Sequence, residues 1–357
     1  MRAYHRGLGV VHTWVALLAG SVFFSGTLPA HAQPADEFYR GKGIELLIGA
    51  APAGGYDVAG RTLANHLARH IPGRPAIVVR NMPGATGLIM MNYLYGVAKH
   101  DGTVLGMPTS NIPLEPRLKL LSPDGINIKF DLRQASWIGT PLQEPQVTWV
   151  WHTAPAWTFT DLKVQSISMG ATAASSDNAI LPFLMNQVLG TRMRVFTGYL
   201  GQNEINLAVE RGEVQGNNTG LSNLMANKPD WLKSNKVRIL VQFGAERVPV
   251  LKDIPTAVEL SPSVADRALF QFYALKFNMA RPLLVPPDVP SERTAALRAS
   301  FEATMKDEEY LAEARRIGLD TNWLGADAIT SLFNQIEETP QPVVDRLRGM
   351  LAGSGAK

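Results

Sequence analysis

The chain has 357 residues, with 34 lysines and arginines, 31 aspartates and glutamates, seven histidines and no cysteine. The missing thiols exclude disulfide frameworks, thiolate metal centres and cysteine nucleophiles. The near-balanced charge offers no basic surplus to neutralise phosphates, so nucleic acid is not an expected partner.

Residues 1–32 read as an export signal. Arg2, His5 and Arg6 make a short basic start, residues 15–19 and 22–24 are apolar, and Ala30-His31-Ala32 has the small-x-small pattern that signal peptidase cuts. His12, Gly20, Ser25, Gly26 and Pro29 keep the apolar run short of the ~20 residues that span a bilayer. Cleavage after Ala32 and a periplasmic location are therefore expected. Removing the segment takes Arg2, Arg6 and no acid, leaving 32 basic against 31 acidic residues over 325 residues. That length suffices for two lobes with separate cores.

Strand-like and helical runs then alternate. Residues 44–49 read as a buried strand. A glycine-rich turn leads into a helix over 57–70 with Val58, Leu63 and Leu67 on one face. A strand at 77–79, a helix over 88–97 and a strand at 103–107 follow, and such alternation predicts an α/β lobe of parallel strands joined by helices. Residues 108–131, rich in Pro, Gly and Asn, read as an irregular crossing. A second α/β set comprises strands at 147–151, 167–169, 193–196 and 237–243, with helices over 178–188 and 202–211. Residues 249–290 form a proline-punctuated segment. Charged amphipathic helices follow, the first with Ser291 as its N-cap. The expected division is lobe I over 33–138 plus 247–357 and lobe II over 139–246, with a ligand cleft between them.

Three glycine- or hydroxyl-rich loops each follow a strand and precede a helix. They are Ala51-Pro52-Ala53-Gly54-Gly55-Tyr56-Asp57, Asn81-Met82-Pro83-Gly84-Ala85-Thr86-Gly87, and Gly170-Ala171-Thr172-Ala173-Ala174-Ser175-Ser176-Asp177. A helix N-terminus leaves backbone N–H groups unpaired and carries positive partial charge, and glycine lets a ligand approach that backbone. Such loops can hold an anion without Arg or Lys. Each alone is also ordinary turn chemistry; their comparable positions in two lobes point to one cleft.

Five stretches in chain order resemble the Bug-type receptors of tripartite tricarboxylate transporters. Residues 48–61 resemble that family's opening motif through Pro52, Gly54, Gly55, Asp57 and Arg61. Asn81 to Gly87 is similar to its Asn-Arg-Pro-Gly-Ala-Gly-Gly, and Asp101-Gly102-Thr103-Val104-Leu105-Gly106 to its Asp-Gly-Tyr-Thr-Leu. Ile254-Pro255-Thr256-Ala257-Val258-Glu259-Leu260 resembles Val-Pro-Thr-x-x-Glu-Leu, and residues 286–297 its proline-flanked helix opening. The resemblance implies a type II periplasmic-binding-protein fold that closes on a small carboxylate. It also implies a monomer without cofactor or metal, delivering its ligand to membrane transporter subunits. Carried over by position, the ligand contacts fall at Ala53, Gly54, Gly55, Tyr56, Asp57, Gly84, Ala85, Thr86, Gly87, Ser110 and Asn111 in the first lobe. In the second they fall at Thr172, Ser175, Ser176, Asp177 and Tyr199. The chain departs from the family at Ala53, Tyr56, Leu200 and Asp177. An acid at Asp177 would repel a second ligand carboxylate; it could instead meet an amine or a hydroxyl, or cap its own helix.

Other classes weigh less. A hydrolase would need a triad, and no Gly-x-Ser-x-Gly elbow is present. His66 and His70 have metal-like spacing without the Glu of His-Glu-x-x-His, and fit a solvated helix end better. His100 sits at a surface turn, and His152 is placed near the hinge. Trp149, Trp151 and Trp157 read as packing residues. A ligand-sensing partner of a membrane signalling protein would share the fold and remains the alternative.

Overall fold

The computed structural model describes residues 34–120, 128–244 and 246–353, so residues 1–32, expected to be an export signal, lie outside the described residues. The first part of the chain runs α1 (Ala35–Tyr39), β1 (Gly43–Ile48), α2 (Gly55–Leu67), β2 (Ala76–Asn81), α3 (Leu88–Gly96), β3 (Val104–Met107), α4 (Glu115–Leu118) and β4 (Ser136–Thr140). The middle runs β5 (Gln146–Trp151), α5 (Asp161–Val164), β6 (Ile167–Gly170), α6 (Asp177–Leu189), β7 (Met193–Phe196), α7 (Gln202–Glu210), β8 (Gly216–Gly220), α8 (Leu221–Asn227), α9 (Pro229–Lys233) and β9 (Val237–Phe243). The return comprises α10 (Val264–Asn278), β10 (Leu283–Val285), α11 (Ser291–Met305), α12 (Glu308–Arg316), β11 (Leu324–Gly325), α13 (Ala326–Glu338) and α14 (Gln341–Gly353).

Two sheets result. The first has the order β11-β4-β10-β3-β1-β2 and the second β7-β6-β8-β5-β9. Strand β1 pairs parallel with β2 and β3, and β6 pairs parallel with β7 and β8, as the alternation predicts. The remaining pairings are antiparallel, because β4, β5, β9, β10 and β11 belong to the two chain crossings and not to strand–helix–strand units. Alternate residues of β1 serve opposite faces: Leu47 enters the core shared by both sheets, while Leu46 and Ile48 pack under α2 and α11. In β5, Val150 likewise joins the shared core, and Trp149 and Trp151 pack outward on Trp231.

Three sequence expectations give way here. The proline-punctuated stretch contains a 15-residue helix, α10, capped by the Ser263 side chain, which accepts from the Asp266 N–H. Its flanking prolines punctuate the ends and leave the interior free. Strand β8, Gly-Asn-Asn-Thr-Gly, was not expected, since Asn and Gly are depleted in strands. It forms because it is buried between β6 and β5; a Cβ on Gly216 would lie 2.4 Å from the Trp149 carbonyl oxygen. Ser291 does not cap α11; Pro290 occupies the cap position and Ser291 is the first helical residue.

Candidate functional site

Because β2, β1 and β3 are parallel neighbours, the loops after them emerge on one edge of the first sheet. They touch directly. The Thr109 hydroxyl donates to the Thr86 carbonyl at 2.7 Å, and the Ser110 N–H donates to the Tyr56 hydroxyl at 2.9 Å. A Cβ on Gly49 would stand 3.2 Å from the Gly87 Cα, so the loop after β1 and the loop after β2 meet backbone to backbone.

The second loop is strained. Gly84, Ala85, Thr86 and Gly87 have φ of 127°, 42°, 53° and 96° in succession. A β-branched Thr at positive φ is costly, and such conformations persist where the surroundings over-determine them, commonly at ligand sites.

In the second lobe, the loop after β6 folds on itself before α6. The Ser176 hydroxyl donates to the Ala173 carbonyl at 2.5 Å, and Asn178 Oδ1 accepts from the Thr172 N–H at 3.2 Å. Helix α6 therefore begins with its N-terminus toward the first lobe's loops, with Asp177 as its first residue.

Between them lies α10, and it carries the group that organises the site. Lys276 is 1% exposed, and its ammonium donates to Asn111 Oδ1 at 2.7 Å, to Asp177 Oδ1 at 2.6 Å and to the Tyr273 hydroxyl at 3.1 Å. Tyr273 also donates to Asp177 Oδ1 at 2.7 Å. Burial, with the Asp177 charge added, pushes the Tyr273 phenol well above its ordinary value, so it stays a neutral donor. A second cation, Arg281, follows α10. Its Nη1 meets Glu144 Oε2 at 3.1 Å, its guanidinium lies 4.1 Å over the Tyr56 ring, and a Cβ on Gly55 would be 3.3 Å from Nη2. The buried Arg281 Nε has no hydrogen-bond partner.

A cavity of about 420 Å³ opens beside the Lys276 cluster. Thr86 and Asn111 line it from the first-lobe loops, Ser175 and Ser176 from the second-lobe loop, and Tyr273 from α10. Since an ammonium has only donors, Lys276 fixes the Asn111 amide with Oδ1 inward, leaving the Nδ2 donors for the cavity. The rest of the wall comes mainly from α4 and its surroundings and from α14, and mixes leucines with Glu115, Lys119 and Arg348.

Among solved structures, a TctC solute-binding protein from Polaromonas superposes with a TM-score of 0.64 at 17% identity, covering 87% of this chain and all (100%) of that one. Its fold is that of the two-lobed periplasmic binding proteins. The periplasmic binding protein BugD gives 0.58 at 16% identity, covering 89% and 99%. An R. palustris protein solved with adipate gives 0.59 at 18%, covering 87% and 98%. No protein-family model and no curated protein sequence matches the chain.

Within this binding-protein fold the predicted residues divide. Thr86, Asn111, Ser175 and Ser176 share the cavity, and Gly84, Ala85, Gly87 and Ser110 support it. Gly55 and Tyr56 stand beside Arg281 on the same edge, and a Cβ on Gly54, at the N-cap of α2, would face the Ala51 carbonyl instead. Ala53 and Asp57 serve each other: Asp57 Oδ2 accepts the Ala53 N–H at 2.9 Å and Oδ1 accepts Arg61 Nε at 2.9 Å, so that N–H is not left for a ligand. Asp177 makes no capping hydrogen bond for α6; its carboxylate accepts from Lys276 and Tyr273 of α10, partners within the chain that the sequence reading did not name. Thr172 is tied to Asn178, and the Tyr199 ring packs near Gly170, away from the cavity lining. Lys276 and Arg281 stand behind these loops, and the sequence reading did not include them. The run Phe272-Tyr273-Ala274-Leu275-Lys276-Phe277 held the one available signal, a lysine amid aromatic and apolar residues.

The histidines are structural. His66 is buried, not solvated, with Nε2 2.6 Å from Glu313 Oε2, which joins α2 to α12, and His70 in the turn after α2 lies with Nε2 2.6 Å from Oδ2 of Asp307, the N-cap of α12. His66, Asp307 and Glu309 could group around a cation, yet the Arg69 guanidinium already pairs with both acids. His152 follows the far end of β5, remote from the crossing that precedes Gln146. No helix among the described residues is long and apolar enough to cross a membrane.

A pH dependence follows. The Arg61 hydrogen bond, aided by the Ala53 N–H, outweighs burial and holds Asp57 below its usual 3.8. A depressed folded-state pKa gives stability that is complete above pH 3.8 and is lost as pH falls through the lowered value. Asp57→Asn should therefore flatten part of the fall in stability below pH 4, measured by urea unfolding at a series of pH values. An unchanged slope would show that Asp57 contributes nothing there.

Proposed function

We propose that the protein is an extracytoplasmic solute-binding receptor that captures a small carboxylate between two lobes and delivers it to the membrane subunits of a tripartite tricarboxylate-type transporter. The observation that carries this is the shared cavity: Thr86 and Asn111 of one lobe face Ser175 and Ser176 of the other, with the Lys276 cation held directly behind Asn111. Loops from both walls that converge on one space suit capture by closure. The motif resemblance supports the carboxylate, and the adipate in a protein of this fold agrees with it. We take lobe I as 33–138 plus 247–357 and lobe II as 139–246, which puts the second sheet wholly in lobe II and leaves the first in lobe I apart from Gly139 and Thr140 at the end of β4. The export signal supports periplasmic delivery.

A thermal-shift screen of aliphatic, aromatic and amino-acid carboxylates tests the reading. A ligand at 100 times its Kd adds about 2.7 kcal/mol, which is readily seen as a rise in Tm. At least one carboxylate should give such a rise; a response to uncharged sugars or cationic peptides alone would contradict it.

A further inference from the structure

Lys276 is saturated before any ligand arrives. An ammonium has three donors, and Asn111, Asp177 and Tyr273 accept all three. The counter-charge comes from Asp177 at the start of α6, which packs on the second sheet, while Asn111 belongs to a loop of the first. In a two-lobed binder, a ligand carboxylate reaches donors on the opposite wall and so holds the lobes together. Here a side chain of the protein already does so.

We propose that Asp177 is a built-in stand-in for one ligand carboxylate, and that the receptor takes a monocarboxylate with an apolar body in preference to a dicarboxylate. This rests on the carboxylate-receptor reading of the same cavity. One end of the cavity offers Asn111 Nδ2, Thr86 and Ser175 to a single carboxylate. Leu114, Leu118, Leu120, Ile180 and Leu351 then supply an apolar wall for the remainder. Among the described residues that line the cavity, a second carboxylate would find no uncommitted buried cation, and Arg281, with its unpartnered Nε, is outside that lining. Arg348 lines the cavity, but its Nε donates to the Leu118 carbonyl at 2.8 Å, its Nη2 to the Arg117 carbonyl at 2.6 Å and its Nη1 to Asp345 at 2.9 Å. Lys119 is exposed at the rim, where water screens its charge. Asp177 itself lies behind Tyr273, committed to Lys276 and the Tyr273 hydroxyl. A cavity of about 420 Å³ has room for an eight-carbon chain.

Octanoate and suberate, equal in length and differing by one carboxylate, provide the test by isothermal titration calorimetry at pH 7.5. In the wild-type protein octanoate should bind at least 10-fold more tightly than suberate, on the order of one charge-assisted contact. Asp177→Asn frees the Lys276 charge and should improve suberate binding about 10-fold relative to octanoate; Asp177→Ser is the second variant. Suberate binding as tightly as octanoate to the wild type overturns the proposal, and so does an unchanged ratio in folded Asp177 variants. If no mono- or dicarboxylate of two to eight carbons binds the wild type, the receptor reading itself fails and the proposal with it.

Discussion

Replacing Lys276 with methionine is expected to cost about 3 kcal/mol of folding stability, and removing Asp177 in the same chain is expected to restore most of it. The Lys276 side chain is 2% exposed and that of Asp177 29%. Deleting one partner of a buried ion pair strands the other, typically at about 3–5 kcal/mol, and the water still reaching Asp177 places this case at the low end. Asn111 Oδ1 and the Tyr273 hydroxyl lose their donor at the same time. Methionine keeps the length and apolar stem of lysine, so little of the loss comes from packing. In Lys276→Met/Asp177→Leu no charge is stranded, and stability should return to within roughly 1 kcal/mol of wild type. Urea unfolding of the two single variants and the double variant at pH 7 gives the coupling, and the double variant should lose far less than the sum of the two single variants. Additive effects would mean that the pair does not act as a unit.

Gly139→Ala should be about as damaging, at roughly 3 kcal/mol, for a steric reason. Gly139 has φ of 156°, and a Cβ there would lie 2.3 Å from Phe301 Cε1 and 2.8 Å from the Leu324 carbonyl oxygen. Phe301 is fully buried, and the carbonyl belongs to β11, which pairs with β4 at this residue, so neither can move freely. The next residue, Thr140, accepts the Arg281 N–H at 3.2 Å, which couples the strain to the start of the crossing into the second sheet. Gly96→Ala is the matched control: nothing lies within 4 Å of its Cβ position, and it ends α3 without a positive φ. Thermal unfolding should show Tm lowered for Gly139→Ala and equal or slightly raised for Gly96→Ala. Equal Tm values for the two would contradict the packing account.

What the sequence makes legible is local. Alternating apolar runs reveal β1 and β5, and glycine-rich loops before helices mark Gly84 to Gly87 and Thr172 to Asp177, because turn chemistry and helix starts are written in neighbouring residues. Thr86, Ser175 and Ser176 lie in loops marked this way, Asn111 comes only from the family resemblance carried over by position, and the cavity brings the four together. Lys276, Tyr273 and Arg281 are not recovered, because their roles depend on tertiary placement. Lys276 sits in a helix whose prolines suggest a loop, and its partners Asn111 and Asp177 are 165 and 99 residues away in the chain. Strand β8 escapes for the complementary reason: Gly216 is required by the closeness of Trp149, a constraint absent from its own neighbourhood.

The central claim, that the cleft recognises a carboxylate by its charge, is tested most directly by calorimetric titration of the wild-type protein with monocarboxylates of three to eight carbons and with their amides. Each amide keeps the shape of its acid and loses the charge. At least one acid should bind at least 10-fold more tightly than its own amide, a difference of about 1.4 kcal/mol. Amides that bind as well as the acids would contradict the account.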